Sequence, residues 1–411
     1  MEARHEIPGP LRPVAPRFGR GILERWALDP AITYLNHGTV GAPPRRVLAA
    51  QQAIRDEIER QPSRFLLREF SSTAVGMPRR EPPRLRAAAD RVAAFLGAQG
   101  DDLVFVDNAT TGINAIVRSF DLRKGDEVLV TDHAYGAVRN AVSFHAGERG
   151  ARMREVELPP SARGPAAFIE AVAAGLTKRT RLAVIDHVTS ESALVLPIAE
   201  IVARCRERGV AVAVDGAHAP GALALDVPSI GADWYVGNLH KWAHAPRSCG
   251  FLWAAQERKE HLHPVVISWG LGKGFTAEFD WVGTRDPSAY LAAPEGIAFM
   301  RELGIDAMRA YNHGLAWETA RLLCARWSTP LTLSEPMVGT MATVPLPERL
   351  GSTKEDAARL RDALLEEDRI EVQLHSWKGR LWVRVSAQVY NEVSDVERLA
   401  SAIAARTSST T

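Results

Sequence analysis

Short apolar runs alternate with helical stretches through the middle of the chain. The runs occupy residues 103–106, 127–130, 182–185, 210–214, 234–236 and 250–253, and stretches of helical periodicity such as 197–208 lie between them. Strands that are apolar on both faces and alternate with helices are typical of a parallel sheet with helices on each side. The pattern therefore predicts an α/β fold whose ligand crevice lies at the carboxyl ends of the strands.

Further elements are predicted before and after this region. Apolar positions recur at helical spacing over 45–59 and 84–96, and one long helix is expected from about residue 293 into the 320s. Strands around 341–344, 372 and 381–385, with a closing helix at 394–404, indicate a smaller α+β unit. We expect an N-terminal arm (1–30), which lies on the surface or on a partner subunit, a large domain (31–290) and a small C-terminal domain (291–411).

Composition and net charge restrict the kinds of molecule that the protein is expected to bind. The chain has 411 residues, of which 46% are hydrophobic and 24% charged, and these values suit an ordinary globular protein of two domains. A net charge of +1 gives no reason to expect binding to nucleic acid or to an anionic membrane. Neither a spanning apolar segment nor a secretory signal is recognisable, so we expect a cytoplasmic protein that binds small molecules. The three cysteines have no metal-ligand spacing, and neither a metal site nor a disulfide is expected.

Two side chains near predicted strand ends carry the most specific chemistry. The run 210–214 ends on Asp215, which is followed by Gly-Ala-His218, and Lys241 follows His240 in a turn of small residues. Pyridoxal 5′-phosphate needs an amine that forms a Schiff base with its aldehyde, and an anion that keeps its ring nitrogen protonated. Lys241 and Asp215 supply these two groups. Taken singly, such an aspartate is often only a helix cap, and a His-Lys pair is usually on the surface.

An anion site is predicted where the first strand of the central region ends. The segment Asn108-Ala-Thr110-Thr111-Gly112 opens a helix, and the free backbone N–H groups of a helix N-terminus attract a phosphate. The threonine hydroxyls would add donors. Threonine is also a common N-cap, so this signal is weak by itself.

Together, Asp-x-Ala-His after an apolar strand and Gly-x-x-His-Lys-Trp resemble the class V aminotransferase superfamily of fold-type I pyridoxal-phosphate enzymes. The resemblance extends from about residue 26 to 404. It implies a mainly parallel sheet between helices, a smaller C-terminal α+β domain and pyridoxal phosphate as the cofactor. It also implies a homodimer with shared active sites, in which Thr284 reaches the phosphate of the neighbouring subunit.

The resemblance also assigns roles to cofactor-binding residues. Thr110, Thr111 and His240 are placed at the phosphate, and Asn238 stands near them where many relatives have Ser or Thr. Tyr135 is expected to stack on the cofactor ring, with His133 as the alternative. Ser190 and His218 are placed to hydrogen-bond the phenolic oxygen of the ring or the substrate.

Substrate contacts are expected from both ends of the chain. Arg384, in a segment that matches the family's Arg-x-Ser pattern, would clamp the substrate α-carboxylate with two parallel hydrogen bonds. Asn36 and His37 stand at the entrance and are expected to contact the substrate. The implied reaction proceeds through an external aldimine and a quinonoid, with Lys241 as the base and Tyr135 or His218 as the second acid.

Several segments look most like isopenicillin N epimerase-like members, among them 34–41, 215–221 and 283–286. We therefore expect an amino-acid epimerase or racemase. The alternatives are a C–S lyase, like the sulfoxide lyases of ergothioneine biosynthesis, and an aminotransferase. A persulfide-forming desulfurase is disfavoured because no cysteine occurs between Val344 and Arg384, where such enzymes carry their nucleophile.

Overall fold

The computed structural model describes residues 18–73, 80–161 and 164–408, so residues 1–17 of the predicted N-terminal arm lie outside the described residues. The strands, numbered along the chain, are β1 Thr33–Tyr34, β2 Leu103–Val106, β3 Glu127–Thr131, β4 Arg152–Val156, β5 Thr180–Asp186, β6 Ala211–Asp215, β7 Trp234–Asn238, β8 Gly250–Ala254, β9 Met341–Pro345, β10 Ile370–Glu371, β11 Gln373–Trp377 and β12 Arg380–Ser386. The helices are α1 His37–Val40, α2 Arg45–Arg60, α3 Pro62–Arg64, α4 Arg84–Phe95, α5 Ala109–Ser119, α6 Gly136–Glu148, α7 Pro165–Gly175, α8 Ile198–Glu207, α9 Phe275–Asp280, α10 Ser288–Leu303, α11 Ile305–Trp327, α12 Lys354–Asp368 and α13 Val393–Ser408.

A seven-stranded sheet forms the centre of the molecule. Its strand order is β2-β8-β7-β6-β5-β3-β4, and β8 runs antiparallel to both of its neighbours. All other adjacent strands are parallel. The predicted α/β fold with a mainly parallel sheet is confirmed.

Both faces of this sheet are buried, because alternate residues of each strand enter different hydrophobic clusters. On β6, Val212 and Val214 pack into a cluster with residues of α4, α7, α8 and α10. Ala211 and Ala213 pack into another cluster, which contains residues of α5, α6 and α9. A strand covered on both sides needs apolar residues at every position, which explains the continuous Val and Ala run that precedes Asp215.

A three-stranded antiparallel sheet, in the order β11-β12-β9, forms a second core with α11, α12 and α13. One face of this sheet carries apolar residues such as Val344, Val383 and Val385 into that core. The other face carries polar and aromatic residues. Arg384 is paired there with Thr343, and Trp382 with His375.

The segment before α2 lies against the C-terminal part of the chain. β1 pairs in parallel with β10, and the Ser386 N–H donates to the Leu35 carbonyl at 2.9 Å. Trp26, inside the range predicted as an arm, is fully buried. This packing brings residues 36–39 close to Arg384.

Two details differ from the pattern-based expectations. The prediction of a single helix from about residue 293 is wrong, because the chain forms α10 and α11 with a break at Gly304, whose φ is +83°. Strand β4 was not predicted, since it is an edge strand whose side chains are mostly not buried. In the described part of the chain, no helix has the length and apolar character needed to cross a bilayer.

Candidate active site

Lys241 and His218 form the centre of the site. The Lys241 Nζ lies 3.0 Å from the His218 Nε2, and the Trp242 indole Nε1–H points at the His218 Nδ1 from 3.5 Å. An indole N–H only donates, so Nδ1 accepts and the proton of the neutral ring stands on Nε2. Burial, with nearby cations, holds the pKa of His218 well below its usual value. The neutral imidazole therefore donates to Lys241, and this bond requires an uncharged amine.

The electrostatic surroundings of Lys241 favour the same state. Desolvation, followed by repulsion from the Arg384 guanidinium, lowers the pKa of Lys241 to about 7, although Asp215 opposes the shift. An amine with this pKa is substantially neutral near physiological pH, unlike an ordinary lysine. A neutral amine of this kind is able to act as a base or as a nucleophile.

Two carboxyl groups lie at the ends of neighbouring strands. Asp215 ends β6 and is paired in register with Asp186 at the end of β5. Burial and the adjacent Asp215 raise the pKa of Asp186 well above its usual value. Burial raises the pKa of Asp215 too, although its carboxylate accepts the Ala217 N–H at 3.0 Å, which opposes the shift. Asp186 was not among the predicted site residues, although its place at a strand end was the signal that pointed to Asp215.

The anion cradle was predicted at the start of α5, which begins at Ala109. The Asn108 side chain caps the helix by accepting the Thr111 N–H at 2.9 Å, and the Asn238 Oδ1 accepts the Ala109 N–H at 2.8 Å. Within the described residues, neither the N–H nor the hydroxyl of Thr110 has a protein partner. These donors match the needs of a phosphate group.

Gly112 and Gly250 allow this close approach of α5 to the sheet. A Cβ at Gly112 would lie 2.6 Å from the Val236 Cγ1, and one at Gly250 would lie 2.8 Å from the Gly237 carbonyl oxygen. Larger residues would move α5 away from β7 or β7 away from β8. The geometry of the cradle therefore depends on both glycines.

Arg384 is a buried cation without a carboxylate partner. Its Nη1 donates to the Ser190 carbonyl and its Nη2 to the Thr39 hydroxyl, each at 2.6 Å, whereas Nε is buried with no hydrogen-bond partner in the described residues. Desolvation lowers its pKa to about 10, so it remains charged. An unpaired buried guanidinium is costly unless an anion binds it, and the missing partner fits a substrate carboxylate.

Asn36 and His37, predicted to contact the substrate, are bonded to other protein groups. The His37 Nε2 donates to the Lys241 carbonyl at 3.0 Å and its Nδ1 accepts from the Tyr390 hydroxyl at 2.8 Å. Asn36 donates to Glu371 at 2.7 Å and accepts from the Thr39 hydroxyl at 2.5 Å. Hydrogen bonds therefore fix the orientation of both side chains, and Thr39, which was not among the predicted residues, links Asn36 to Arg384.

Tyr135 and His133, the two candidates for ring stacking, differ in exposure. Tyr135 is 46% exposed, whereas the His133 side chain is only 7% exposed and lies 5.1 Å from the Trp377 ring, centroid to centroid. The His133 Nδ1 is also 2.6 Å from the Ser192 hydroxyl. Tyr135 is thus the more exposed of the two rings.

His240 and Thr284 complete the predicted set. The His240 Nδ1 donates to the Cys249 carbonyl at 2.9 Å, and burial lowers the pKa of His240 to about 4. The neutral ring then has no proton on Nε2, so His240 would donate to a phosphate only after protonation, which a nearby dianion favours.

Thr284 is exposed, and within the described residues its side chain has no hydrogen bond. The neighbouring Arg285 lies 3.3 Å from Asp107, next to the cradle.

The α/β fold, the half-neutral lysine and the unpaired arginine together define an enzyme site for an aldehyde cofactor and an amino acid. The family model of class V aminotransferases matches residues 82–399. The chain is 36% identical to a probable chloroplastic L-cysteine desulfhydrase of Arabidopsis thaliana, with 91% of this chain and 83% of the relative covered. It is 35% identical to an isopenicillin N epimerase of Streptomyces clavuligerus, with 93% and 97% covered.

A solved structure supports the fold. A cysteine desulfurase from Thermococcus onnurineus superposes with a TM-score of 0.78 at 18% identity, covering 96% of this chain and all of that one. The chain belongs to the class V aminotransferase family of pyridoxal-phosphate enzymes. The free Thr110 donors, the Asp215 carboxylate and the Lys241 amine fit this cofactor.

Proposed function

We propose that this enzyme inverts the configuration at the Cα of an amino-acid substrate, as an epimerase or racemase. The proposal depends on Lys241, whose pKa of about 7 suits a base. The Lys241 Nζ lies 3.0 Å from the His218 Nε2, and the Arg384 charge helps to lower the pKa of Lys241. When bound, pyridoxal phosphate supplies an aldehyde for the substrate amine and a ring that withdraws electrons from Cα. Thr110, Thr111, Asn238 and His240 would hold its phosphate and Asp215 and His218 its ring, while Ser190, whose carbonyl accepts from Arg384, would contact the ring or the substrate.

The residues of the chain divide the remaining work. Arg384 binds the α-carboxylate and thereby fixes which Cα bond is weakened. Lys241 takes the Cα proton, and a positioned base of this kind contributes roughly 10²–10⁴-fold to the rate. We propose that the Tyr135 hydroxyl serves as the second acid, because the Tyr135 side chain is exposed and its backbone N–H bonds the carboxyl group of Asp186, which is paired in register with Asp215.

Cleavage of a β C–S bond is the second candidate. It is favoured by the 36% identity to a protein named as a desulfhydrase, and it needs no acid on the opposite face of Cα. It would not use a protein thiol as the acceptor of sulfur, because Cys205, Cys249 and Cys324 are all buried. We further propose that the enzyme is a homodimer in which Thr284 contacts the partner's cofactor phosphate.

The test is incubation of the holoenzyme with amino acids in deuterated water. An epimerase incorporates deuterium at Cα and yields both enantiomers, whereas a C–S lyase releases a thiol and a keto acid. Replacing Lys241 with Ala should abolish exchange and the visible absorbance of the bound cofactor. Exchange that persists in Lys241→Ala at the rate of the unmodified enzyme would refute the assignment of the base.

A further inference from the structure

A cavity of about 500 Å³ lies between the three-stranded sheet and the loops that follow β3, β4 and β5. Tyr135 and Glu191 line it, and so does Thr343, the cross-strand partner of Arg384. Lys241, Asp215 and Thr110 do not line it. The cavity therefore adjoins the carboxylate-binding arginine and shares only the proposed stacking residue, Tyr135 or its alternative His133, with the residues assigned to the cofactor.

The strand register places this cavity where a substrate side chain would extend. Arg384 and Trp382 lie on the same face of β12, two residues apart, which corresponds to about 6–7 Å. Trp382 and its cross-strand partner His375 both line the cavity. The guanidinium also donates to the carbonyl of Ser190, whose neighbour Glu191 lines the cavity, so an amino acid held by its carboxylate at Arg384 lies beside the cavity.

The size of the cavity exceeds what a small amino acid needs. Ligand pockets commonly measure about 300–1,000 Å³, and a water molecule occupies about 30 Å³ of liquid. A cavity of about 500 Å³ therefore has room for on the order of fifteen water-sized groups. The side chain of cysteine, with one carbon and one sulfur, would leave most of this space unfilled.

The walls are largely apolar and aromatic. The Trp377 and Trp382 rings meet edge to face, with their centroids 5.7 Å apart. Leu158, Pro159 and Leu333 add aliphatic surface. Such walls gain free energy by burying a ring or a long aliphatic group, and edge-to-face contacts favour aromatic groups further.

The charges around the cavity disfavour an acidic side chain. Its cations are Lys378, which pairs with Glu157 at 2.5 Å, and Arg139, which pairs with Glu155. The Asp132 Oδ2 is buried with no hydrogen-bond partner in the described residues, and the Lys378 Nζ lies 3.7 Å from it. Glu191 also lines the cavity, so among the described lining residues carboxylates outnumber lysine and arginine side chains, and both of those cations are paired.

We propose that this cavity receives the substrate side chain, and that the substrate is an α-amino acid with a large, mainly aromatic or apolar side chain that bears no anionic group. The proposal rests on the proposed function, because it takes Arg384 as the carboxylate site. It names the substrate class that the family relationship leaves open.

The test compares Cα hydrogen–deuterium exchange by the holoenzyme across alanine, phenylalanine, tryptophan and glutamate. This readout is the same whether the complete reaction is epimerisation or elimination. Phenylalanine and tryptophan should exchange with a kcat/KM at least about tenfold above that of alanine, since even one methylene in an apolar pocket is worth about tenfold or more. Glutamate should exchange more slowly than phenylalanine.

Two glycines of α6 provide a matched pair of variants. Gly136 lines the cavity, Gly147 lies near the other end of the helix, and a Cβ at either position would meet no atom within 4 Å. Gly136→Leu should lower the ratio of tryptophan to alanine exchange by about tenfold or more, whereas Gly147→Leu should leave that ratio unchanged. Trp382→Leu, which removes an aromatic ring from the cavity wall, should also lower the ratio of tryptophan to alanine exchange. It replaces Gly136→Leu as the test if that variant does not fold.

The failures of the two proposals are distinguishable. Exchange of alanine at a kcat/KM equal to or above that of phenylalanine and tryptophan would overturn the side-chain pocket and leave the proposed function intact. A ratio that is unaltered in both Gly136→Leu and Trp382→Leu would also overturn it. Absence of exchange with every amino acid in a holoenzyme that binds the cofactor would overturn the proposed function itself.

Discussion

At the scale of single residues, a chain of hydrogen bonds with fixed directions orients Arg384. The guanidinium only donates, so the Thr39 oxygen accepts from it and the Thr39 hydroxyl donates to Asn36. Asn36 in turn donates to Glu371 at 2.7 Å. A fixed direction at every bond means that the Thr39 hydroxyl cannot turn away without breaking two bonds, which holds Arg384 in one position for its ligand.

Replacing Thr39 with Val should therefore impair substrate binding more than cofactor binding. A hydrogen bond to a charged group is worth about 1.5–3 kcal/mol, so kcat/KM should fall by about tenfold to a hundredfold. Thr39→Ser keeps the hydroxyl and should restore most of the loss. Steady-state kinetics with a cofactor titration measure both effects. Unchanged kcat/KM in Thr39→Val, with a loss in Thr39→Ser, would show that the methyl group, rather than the hydroxyl, is what matters.

The lowered pKa of Lys241 predicts the pH dependence of cofactor uptake by the apoenzyme. Only the neutral amine attacks an aldehyde, so the fraction of reactive protein rises with pH and reaches half at about 7. An unperturbed lysine would reach half near 10.4. Stopped-flow absorbance, corrected with N-acetyl-lysine for titration of the cofactor, gives the midpoint.

Two variants test the cause of the lowered Lys241 pKa, because they should move the midpoint of cofactor uptake in opposite directions. Arg384→Met removes a neighbouring positive charge that disfavours the ammonium, so the midpoint should rise. Asp215→Asn removes a negative charge that favours the ammonium, so the midpoint should fall. A midpoint near 10 in the unmodified apoenzyme would contradict the description of Lys241.

At the scale of elements, apolar patterning predicted the buried strands well, because strands covered on both faces leave no room for polar residues. The residues at their ends were predictable for the same reason: Asp215 interrupts an apolar run where the strand leaves the core. Strand β4 gave no such signal, since Arg152, Arg154 and Glu155 on a sheet edge can remain solvated.

The break between α10 and α11 shows a different limit. Helical periodicity continues through residues 288–327, and Gly304 alone does not distinguish a tolerated glycine from a turn. The roles of Asn36 and His37 were also beyond sequence reasoning. Their partners Glu371 and Tyr390 lie more than 330 residues away along the chain, so only the packing of β1 against β10 reveals that these side chains are already bonded.

At the scale of the whole molecule, an exposed apolar segment supports the proposed homodimer. Val266, Ile267, Trp269 and Leu271 are between 46% and 68% exposed within one short loop. Contiguous apolar surface of this kind commonly marks a protein interface. In sequence, only α9 and a few flanking residues separate this loop from Thr284. An interface at the loop would therefore bring Thr284, the proposed phosphate-binding residue, towards a partner subunit.

Trp269→Glu should consequently shift the protein from dimer to monomer and lower its activity, because a charge buried in an apolar interface costs several kcal/mol. Phe144→Glu is the matched control: Phe144 is 63% exposed on α6, away from that loop in sequence, and its replacement should leave the dimer intact. Light scattering after size exclusion measures the mass of each variant. If the active site is shared between two subunits, a high protein concentration should restore both the dimer and the activity of Trp269→Glu. Thr284→Ala, in contrast, should remain dimeric and bind the cofactor more weakly. A dimer that survives Trp269→Glu unchanged would place the interface on another surface.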